Sequence, residues 1–261
     1  MKKYLLPLFI TAALTGCNDS QANNASSADF SSAQKAQIEK IASDYIIAHP
    51  EILVKASETL QKQQMEQQQQ AAVSAIIQNT DKLINDKATP FVGPKDAKVN
   101  VIEFFDYQCM YCSKIAPIVK ELQKANPNVK FIFKETPIFA NRWEASKYAA
   151  DMGNWIFEQK GSAAYEQYHN AIFATRKDEG NLTKVDVDTA AKSVGVDTTK
   201  MNLDNSFMQN FKLFSELGFQ GTPALIVMPT ENANKDNVKV INGFDPQGLK
   251  NAIADLTAKT K

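Results

Sequence analysis

Two cysteines separated by two residues stand between an apolar run and a helical pattern, and this arrangement restricts the fold most. The run Val99–Phe105 is apolar at most positions, which indicates a strand buried on both faces. Beyond Cys112, apolar residues recur at helical spacing from Ile115 to Ala125. Cys109 is therefore expected at the N-terminus of a helix, where unpaired backbone N–H groups and the helix dipole stabilise a thiolate.

The two cysteines are predicted to have different roles in thiol chemistry. Cys109, at the helix start, is expected to be exposed and to have a lowered pKa, so it would be the nucleophile. Cys112 lies one turn further inside and would resolve the mixed disulfide. The alternative is half of a zinc site, but zinc takes three or four protein ligands, and the chain has two histidines and only one further cysteine, Cys17. We therefore expect no metal and no cofactor.

Residues 1–16 are typical of an export signal. Lys2 and Lys3 precede an apolar stretch that is too short to span a bilayer permanently. The sequence Leu14-Thr15-Gly16-Cys17 resembles the bacterial lipobox, which predicts that Cys17 is acylated and becomes the new N-terminus. The alternative is an ordinary secretory signal that is removed with Cys17. Both predict export, and the lipobox predicts a lipid anchor at the periplasmic face of the bacterial cell envelope.

Residues 17–32 contain few apolar side chains and are expected to form a flexible tether. In residues 33–88 apolar residues recur at helical spacing on both sides of His49-Pro50, so two helices are expected to meet there. The absence of Gly and Pro from 51–87 favours one helix of roughly 50 Å, at about 1.5 Å per residue. A flexible break in the Gln-rich run 61–70 is the alternative.

The apolar residues of this predicted helix form two clusters, Ile52–Leu60 and Val73–Ile84. Such a helix has little of its own protein to pack against, and an exposed apolar stripe is an aggregation hazard. We therefore expect residues 33–88 to bury the stripe against other subunits, in a homodimer or homotrimer.

Residues 89–261 are expected to form the catalytic domain, which begins after the turn residues near Pro90. The elements predicted after the helix at 115–125 are a strand at Val129–Lys134, helices over 141–217, a hairpin of Pro223–Met228 and Val238–Ile241, and a helix from Pro246 to Leu256. The order is a strand–helix–strand unit, a helical insertion, and a closing hairpin with a helix.

The segment from Phe104 to Cys112, Phe-Phe-Asp-Tyr-Gln-Cys-Met-Tyr-Cys, resembles the active-site segment of the DsbA-like thioredoxin proteins. The resemblance covers about Pro90 to Thr257. It implies an α/β thioredoxin fold with an inserted helical domain, and disulfide exchange with exported proteins that contain cysteines. The segment Tyr45–Leu53 resembles the oligomerisation segment of the ScsC-like subgroup, so an N-terminal helical oligomerisation segment is expected before the fold.

Two further pairs of residues are assigned to substrate binding through this resemblance. Thr222 and Pro223 precede a predicted strand, where the family has a cis-proline that lies against the cysteines; an ordinary proline at a strand start is the alternative. Met110 and Tyr111 lie between the cysteines, where DsbA itself has Pro-His. Tyr111 is shared with DsbC and ScsC, which argues against the strongly oxidising potential of DsbA.

Glu103 lies in the strand before the cysteines, at a position where thioredoxin-like proteins commonly carry a buried acid. Burial in an apolar strand would raise the pKa of its carboxyl group, which could then accept the proton of Cys112. The alternative is a salt bridge to a lysine such as Lys134 on the neighbouring strand.

The remaining polar features point to no second site. His49 precedes a proline and is expected to end a helix, while His169 lies in a polar helical stretch and is expected to face solvent or to cap a helix. The 29 basic and 29 acidic residues give a net charge of zero, so no nucleic-acid partner is expected.

Three functions remain open at this point. The first is an oligomeric thiol-disulfide oxidoreductase with isomerase capability, and the second is a dithiol oxidase without it. The third is a lipid-anchored chaperone or scaffold in which the cysteines are secondary. The first two also require a redox partner in the membrane.

Overall fold

The structure, a computed structural model, describes residues 30–201 and 205–260. The predicted signal at 1–16, the lipidation site Cys17 and most of the predicted tether lie outside these residues. These residues form two compact units, and the boundary between the first and the second unit falls between Thr59 and Leu60. The helix Glu51–Gln78 contributes residues to both units.

The first unit contains helix α1 (Ser32–Ala48) and the first turns of α2 (Glu51–Gln78). Ser31 and Gln34 form a capping box that satisfies free N–H groups at the start of α1. Because a residue before proline avoids helical backbone angles, α1 ends at Ala48, and His49 caps it as predicted. Large apolar side chains of this unit are exposed within the single chain: Ile38, Ile41, Tyr45, Ile47, Leu53 and Val54.

The second unit is built around a five-stranded sheet of order β1-β3-β2-β4-β5. The strands are β1 (Phe91–Val92), β2 (Val99–Phe105), β3 (Val129–Glu135), β4 (Ala224–Pro229) and β5 (Lys239–Asn242). Strands β2 and β3 pair in parallel, and the other pairs are antiparallel. The predicted strand–helix–strand unit and closing hairpin are confirmed, whereas the short edge strand β1 was not predicted.

Helices cover both faces of the sheet. They are α3 (Thr80–Ile84), α4 (Met110–Ala125), α5 (Glu144–Lys160), α6 (Ser162–Ala174), α7 (Lys184–Ser193), α8 (Met208–Glu216) and α9 (Pro246–Lys259). Successive side chains of β2 point to opposite faces. Val101 and Phe105 pack in one core with α4, α5, α6, α7 and α9. Ile102 and Phe104 pack in a second core with α3, α8 and the end of α2. Every residue of β2 is buried, as its apolar sequence predicted.

The region predicted for oligomerisation differs from expectation at its C-terminal end. Helix α2 includes the Gln-rich run but ends at Gln78, and the short helix α3 follows. The second apolar cluster of this region is not left for another subunit, because Val73, Ile76 and Leu83 lie in the second core of their own chain. The expectation that these residues lack an intrachain partner was therefore wrong.

Within residues 30–201 and 205–260, every helix falls short of the length and apolar character that a membrane crossing needs.

The packing of α2 predicts a large effect of one substitution. Ile76→Ala should lower the free energy of unfolding by about 2–5 kcal/mol, because it leaves a cavity in a core where Ile76 is fully buried. Met65→Ala on the same helix is the control, since Met65 is exposed and its loss should change stability little. Urea denaturation measures both. Equal values for the two variants would contradict the assignment of α2 to this core.

Candidate active site

The first cysteine occupies the N-cap of α4, directly after the turn that leaves β2. Cys109 has extended backbone angles, and its carbonyl accepts the N–H of Ser113 at 2.9 Å in the first turn of the helix. The N–H of Cys109 in turn donates to the carbonyl of Asp106 at 3.0 Å. The thiol therefore lies where the free N–H groups of the helix start meet it.

The structure brings the predicted cysteines and the predicted proline loop together. The thiol of Cys109 donates to the carbonyl oxygen of Thr222 at 3.2 Å, and the Thr222–Pro223 peptide bond is cis. Cys109 is 5 % exposed, so the expectation of an exposed nucleophile was wrong. The Thr222 carbonyl lies against its sulfur. Cys112 is fully buried, and both cysteines are free thiols.

The environments of the two thiols separate their pKa values. A hydrogen bond from the Cys112 thiol, with further hydrogen bonds from backbone N–H groups of Cys112 and Tyr111, lowers the pKa of Cys109 to about 6, against the effect of burial. Burial and the neighbouring Cys109 raise the pKa of Cys112 well above its ordinary value. Cys109 is thus a thiolate at neutral pH while Cys112 keeps its proton.

Glu103 is buried in β2 beneath this pair. Burial, and then the charge of Cys109, raise the pKa of the Glu103 carboxyl to about 8. Neither of its oxygens has a hydrogen-bond partner within the described part of the chain. A carboxyl group with this pKa is protonated about as often as not near pH 8, and it is available to exchange a proton with a neighbour.

The alternative salt bridge between Glu103 and Lys134 is absent, because strand register places the two side chains on opposite faces of the sheet. Glu103 is paired with Phe133, and Lys134 with Phe104. The ammonium of Lys134 donates to Thr89 Oγ1 at 2.7 Å, the Lys82 carbonyl at 2.9 Å and Asp86 Oδ2 at 3.2 Å. That lysine fixes the segment between α3 and β1 instead.

Two residues just before Cys109 position the turn, and sequence reasoning missed both. The buried carboxylate of Asp106 accepts from the N–H of Gln108 at 2.8 Å, the N–H of Phe139 at 2.9 Å and the hydroxyl of Ser146 at 2.8 Å. These contacts tie the turn to the start of the helical insertion. The signal available in the sequence was an acid directly after a strand that is apolar at most positions.

Gln108 ties the same turn to the loop after α6. Its Nε2 donates to the Leu182 carbonyl at 3.0 Å, and its Oε1 accepts the N–H of Gly180 at 2.8 Å. Its carbonyl accepts the N–H of Glu179 at 2.9 Å. Gly180 has a φ of +94°, and a Cβ there would lie 2.6 Å from Trp143 Nε1, so only glycine suits this loop.

A buried polar cluster lies behind the turn. Tyr107 and Tyr165 both donate to Glu135 Oε1, at 3.0 and 2.9 Å. His169 is buried among Phe105, Tyr107, Phe133, Tyr165 and Phe173, and burial lowers its pKa to about 3. The expectation that His169 faces solvent was wrong, because His169 lies on the face of α6 that is buried in the core. His49 is exposed.

The residues between the cysteines lie at the surface of the site. Tyr111 is 49 % exposed, and the ammonium of Lys114 lies 5.3 Å from its ring centroid. Met110 is half-buried. Both remain assigned to substrate contact as a prediction.

Comparisons with known proteins match this geometry. The family model described as Thioredoxin matches residues 85–242, more than half of the chain. The chain belongs to the thioredoxin family. The model described as the copper resistance protein ScsC N-terminal domain matches residues 34–72. The model described as a prokaryotic membrane lipoprotein lipid attachment site matches residues 1–18. The predicted fold class and lipid-anchored envelope location are thereby confirmed.

Solved structures of two relatives cover most of the chain. BcfH from Salmonella enterica Typhimurium is 39 % identical, with a TM-score of 0.75, and the match covers 85 % of this chain and 95 % of BcfH. ScsC from Proteus mirabilis, in a transitional conformation, is 27 % identical with a TM-score of 0.58, and the match covers 89 % and 99 % of the two chains.

A curated relative is matched over a short segment only. The Na⁺/H⁺ antiporter NhaA 1 of Salinispora arenicola is 27 % identical over 111 residues, which are 40 % of this chain and 15 % of the antiporter. The chain therefore spans only a small part of that relative's length.

The pKa values predict selective alkylation. In the folded, reduced protein, the rate of carbamidomethylation of Cys109 should rise with pH and reach half its maximum near pH 6, while Cys112 stays unmodified. In urea both thiols should react with a midpoint near the ordinary value of 9. Peptide mapping by mass spectrometry assigns the sites. Faster labelling of Cys112 than of Cys109 in the folded protein would reverse their roles.

The raised pKa of Glu103 predicts that the free energy of unfolding depends on pH. Because its folded pKa is raised to about 8, the folded state holds a proton that the unfolded state releases from about pH 4.5 upward. Stability is therefore lost as pH rises from 4.5 and levels off above 8. Glu103→Gln removes this loss and should stabilise the reduced protein at pH 8, relative to pH 4, by roughly 4 kcal/mol. Denaturation at both pH values measures it, and a pH-independent difference would contradict the raised pKa.

Proposed function

We propose that this protein is a thiol-disulfide oxidoreductase that exchanges disulfides with exported proteins at the cell envelope. The observation that carries the proposal is the position of Cys109. Its sulfur lies at the start of α4, has a pKa near 6, and contacts the Thr222 carbonyl beside a cis-proline. The family and the lipid attachment site support the compartment and the class of reaction.

In reduction of a substrate disulfide, the thiolate of Cys109 attacks one substrate sulfur. A Cys109–substrate disulfide forms, and the other substrate sulfur leaves as a thiolate that takes up a proton. Cys112 then loses its proton and attacks Cys109. The Cys109–Cys112 disulfide forms and the second substrate thiolate is released, so the substrate gains two electrons and the enzyme loses two. Oxidation of a substrate dithiol is the reverse sequence.

Glu103 is proposed to accept the Cys112 proton in the second attack. The thiol of Cys112 is fully buried, so water does not reach it readily. Its raised pKa also makes its proton harder to remove, so a nearby base is needed. Glu103 is the carboxyl group whose charge acts on that thiol, and its own pKa is close to the working pH.

The backbone at the cis-proline is proposed to bind the substrate chain. The carbonyl of Thr222 lies 3.2 Å from the catalytic sulfur, and it becomes free to accept from a substrate N–H once Cys109 loses its proton. Pro223 has no N–H to pair with a neighbouring strand. An extended substrate segment that lies beside Thr222 would place its cysteine against Cys109, with Met110 and Tyr111 in contact with its flanks.

We further propose that copies of this chain associate through the first unit, and that association gives isomerase activity. Apolar side chains of α1 and the start of α2 are exposed in the single chain, and the ScsC N-terminal model matches this region. Burial of such stripes between two or three copies would favour association by about 25 cal/mol per Å² of apolar surface. Several Cys109 thiols could then act in turn on one wrongly paired client. A membrane protein must reset their redox state.

The oxidoreductase proposal predicts a clear result with a disulfide-bonded client. The soluble chain from Asn18 onward should catalyse its reduction by glutathione, and the double variant Cys109→Ser, Cys112→Ser should lose more than about 99 % of that rate, because the nucleophile is gone. Refolding yield of a cysteine-free client is the control. If the double variant retained the full effect on both clients, a chaperone or scaffold would be the better description.

The association proposal predicts that a monomeric variant keeps disulfide reduction but loses isomerase activity. Ile41→Glu with Leu53→Glu should produce monomers in light scattering, because both side chains are exposed in the single chain and would lie at the interface. This variant should still reduce a simple disulfide but lose most reshuffling of scrambled ribonuclease. Gln63→Glu with Gln67→Glu adds the same charge in the Gln-rich run as a control. A wild-type monomer at micromolar concentration would contradict the proposal.

A further inference from the structure

A groove runs along the catalytic helix directly beyond the second cysteine. It has a volume of about 260 Å³, and α4 contributes Ser113, Ala116, Pro117 and Lys120 to its lining. Helix α6 and the residues after it contribute Asn170, Phe173, Ala174 and Arg176. Small-molecule sites typically occupy about 300–1,000 Å³, so this groove is better suited to a few side chains of a polypeptide.

The groove is joined to the active site through its floor and its wall. Phe173 is buried beneath it, and its ring centroid lies 5.1 Å from that of Tyr107, two residues before the nucleophile. Ser113 on the wall donates its N–H to the Cys109 carbonyl at 2.9 Å. The groove therefore begins one helical turn beyond Cys109, and a client segment that runs along α4 from a cysteine bound at Cys109 would enter it.

The charges of the groove are of one sign. Two of its lining residues, Lys120 and Arg176, are cationic, and none is acidic. Their neighbours are neutralised within the chain, because Lys124 pairs with Glu121 at 2.9 Å and Lys177 with Asp186 at 2.6 Å. Neither groove cation has an ion pair in the part of the chain that the structure describes. The surface is thus complementary to an acidic segment.

The backbone of Arg176 adds an independent observation. Helix α6 ends at Ala174 with Thr175 as its cap, and Arg176 follows with a φ of +54°, while its N–H donates to the Phe173 carbonyl at 3.1 Å. This is the left-handed position at which helices usually end with glycine, since a side chain there is unfavourable. Asparagine tolerates such angles, as at Asn232, but arginine rarely does. A residue that the fold disfavours points to a use for its side chain.

We infer that this groove binds an acidic segment of the client polypeptide, and that Lys120 and Arg176 give the enzyme a preference for disulfides flanked by aspartate or glutamate. The inference rests on the proposed oxidoreductase function and names the clients of that site. An exposed ion pair should raise kcat/KM by about two- to five-fold. Two such pairs should therefore give about a ten-fold preference.

The test uses two peptides of equal length, each closed by one disulfide, with two flanking glutamates in one and two lysines in the other. The wild-type soluble chain should show a kcat/KM about ten-fold higher for the glutamate peptide, and 0.5 M salt should largely remove the difference. Lys120→Gln with Arg176→Gly should reduce the preference at least three-fold. Arg176→Lys should keep most of it, and Lys192→Gln, a charge removed from α7, should keep all of it.

Three outcomes overturn the inference. Equal turnover of both peptides by the wild type overturns the inference and leaves the proposed function standing. So does a preference for the glutamate peptide that survives in the double variant. Turnover of neither peptide overturns the proposed function as well. Stability gives a second readout. Arg176→Gly should raise the urea midpoint, because glycine adopts this backbone angle without strain, whereas Asn232→Gly should change the midpoint little, because asparagine already tolerates the angle. A lower urea midpoint for Arg176→Gly would show that the fold itself needs the arginine side chain, and it would overturn the argument from the backbone angle of Arg176.

Discussion

The contact between the Cys109 sulfur and the Thr222 carbonyl joins segments that are 113 residues apart in sequence. It forms because β2 and β4 are adjacent antiparallel strands, which brings the end of one to the start of the other. The helix start stabilises negative charge on the sulfur, and the Thr222 carbonyl lies against it. The two strand ends thus bring together the sulfur that we propose reacts and the backbone that we propose binds the substrate.

Two buried polar side chains hold the turn at that contact, and each is bonded to a different element. Asp106 holds the turn to the start of the insertion, and Gln108 holds it to the loop before α7. Glu103 stands apart, since its oxygens lack partners among the described residues. A buried carboxyl without partners destabilises the fold as it ionises, and this property of Glu103 agrees with the proton transfer that we propose for it. On the opposite face of the sheet, the buried ammonium of Lys134 holds the segment between α3 and β1 through its hydrogen bonds.

Local patterns in the sequence predicted the elements that form the site. The apolar run of β2, the cysteines at a helix start and the proline before β4 are readable because each depends on neighbouring residues. Contacts between residues that are far apart in sequence could not be predicted in this way. Nothing near Val73 shows that α2 packs on its own sheet, and the polar neighbours of His169 concealed its aromatic surroundings. The roles of Asp106 and Gln108 depend on partners in the insertion, which sequence spacing does not locate.

Trapping of substrates in cells tests the central claim most directly. In Cys112→Ala the second attack is removed, so exported proteins should remain joined to Cys109 as mixed disulfides that a reductant releases. Gels run without reductant, followed by mass spectrometry, would identify them and the cysteine that holds them. The account predicts many such adducts in Cys112→Ala, and none in a chain that also carries Cys109→Ala. No adducts in Cys112→Ala, or adducts at another position, would contradict it.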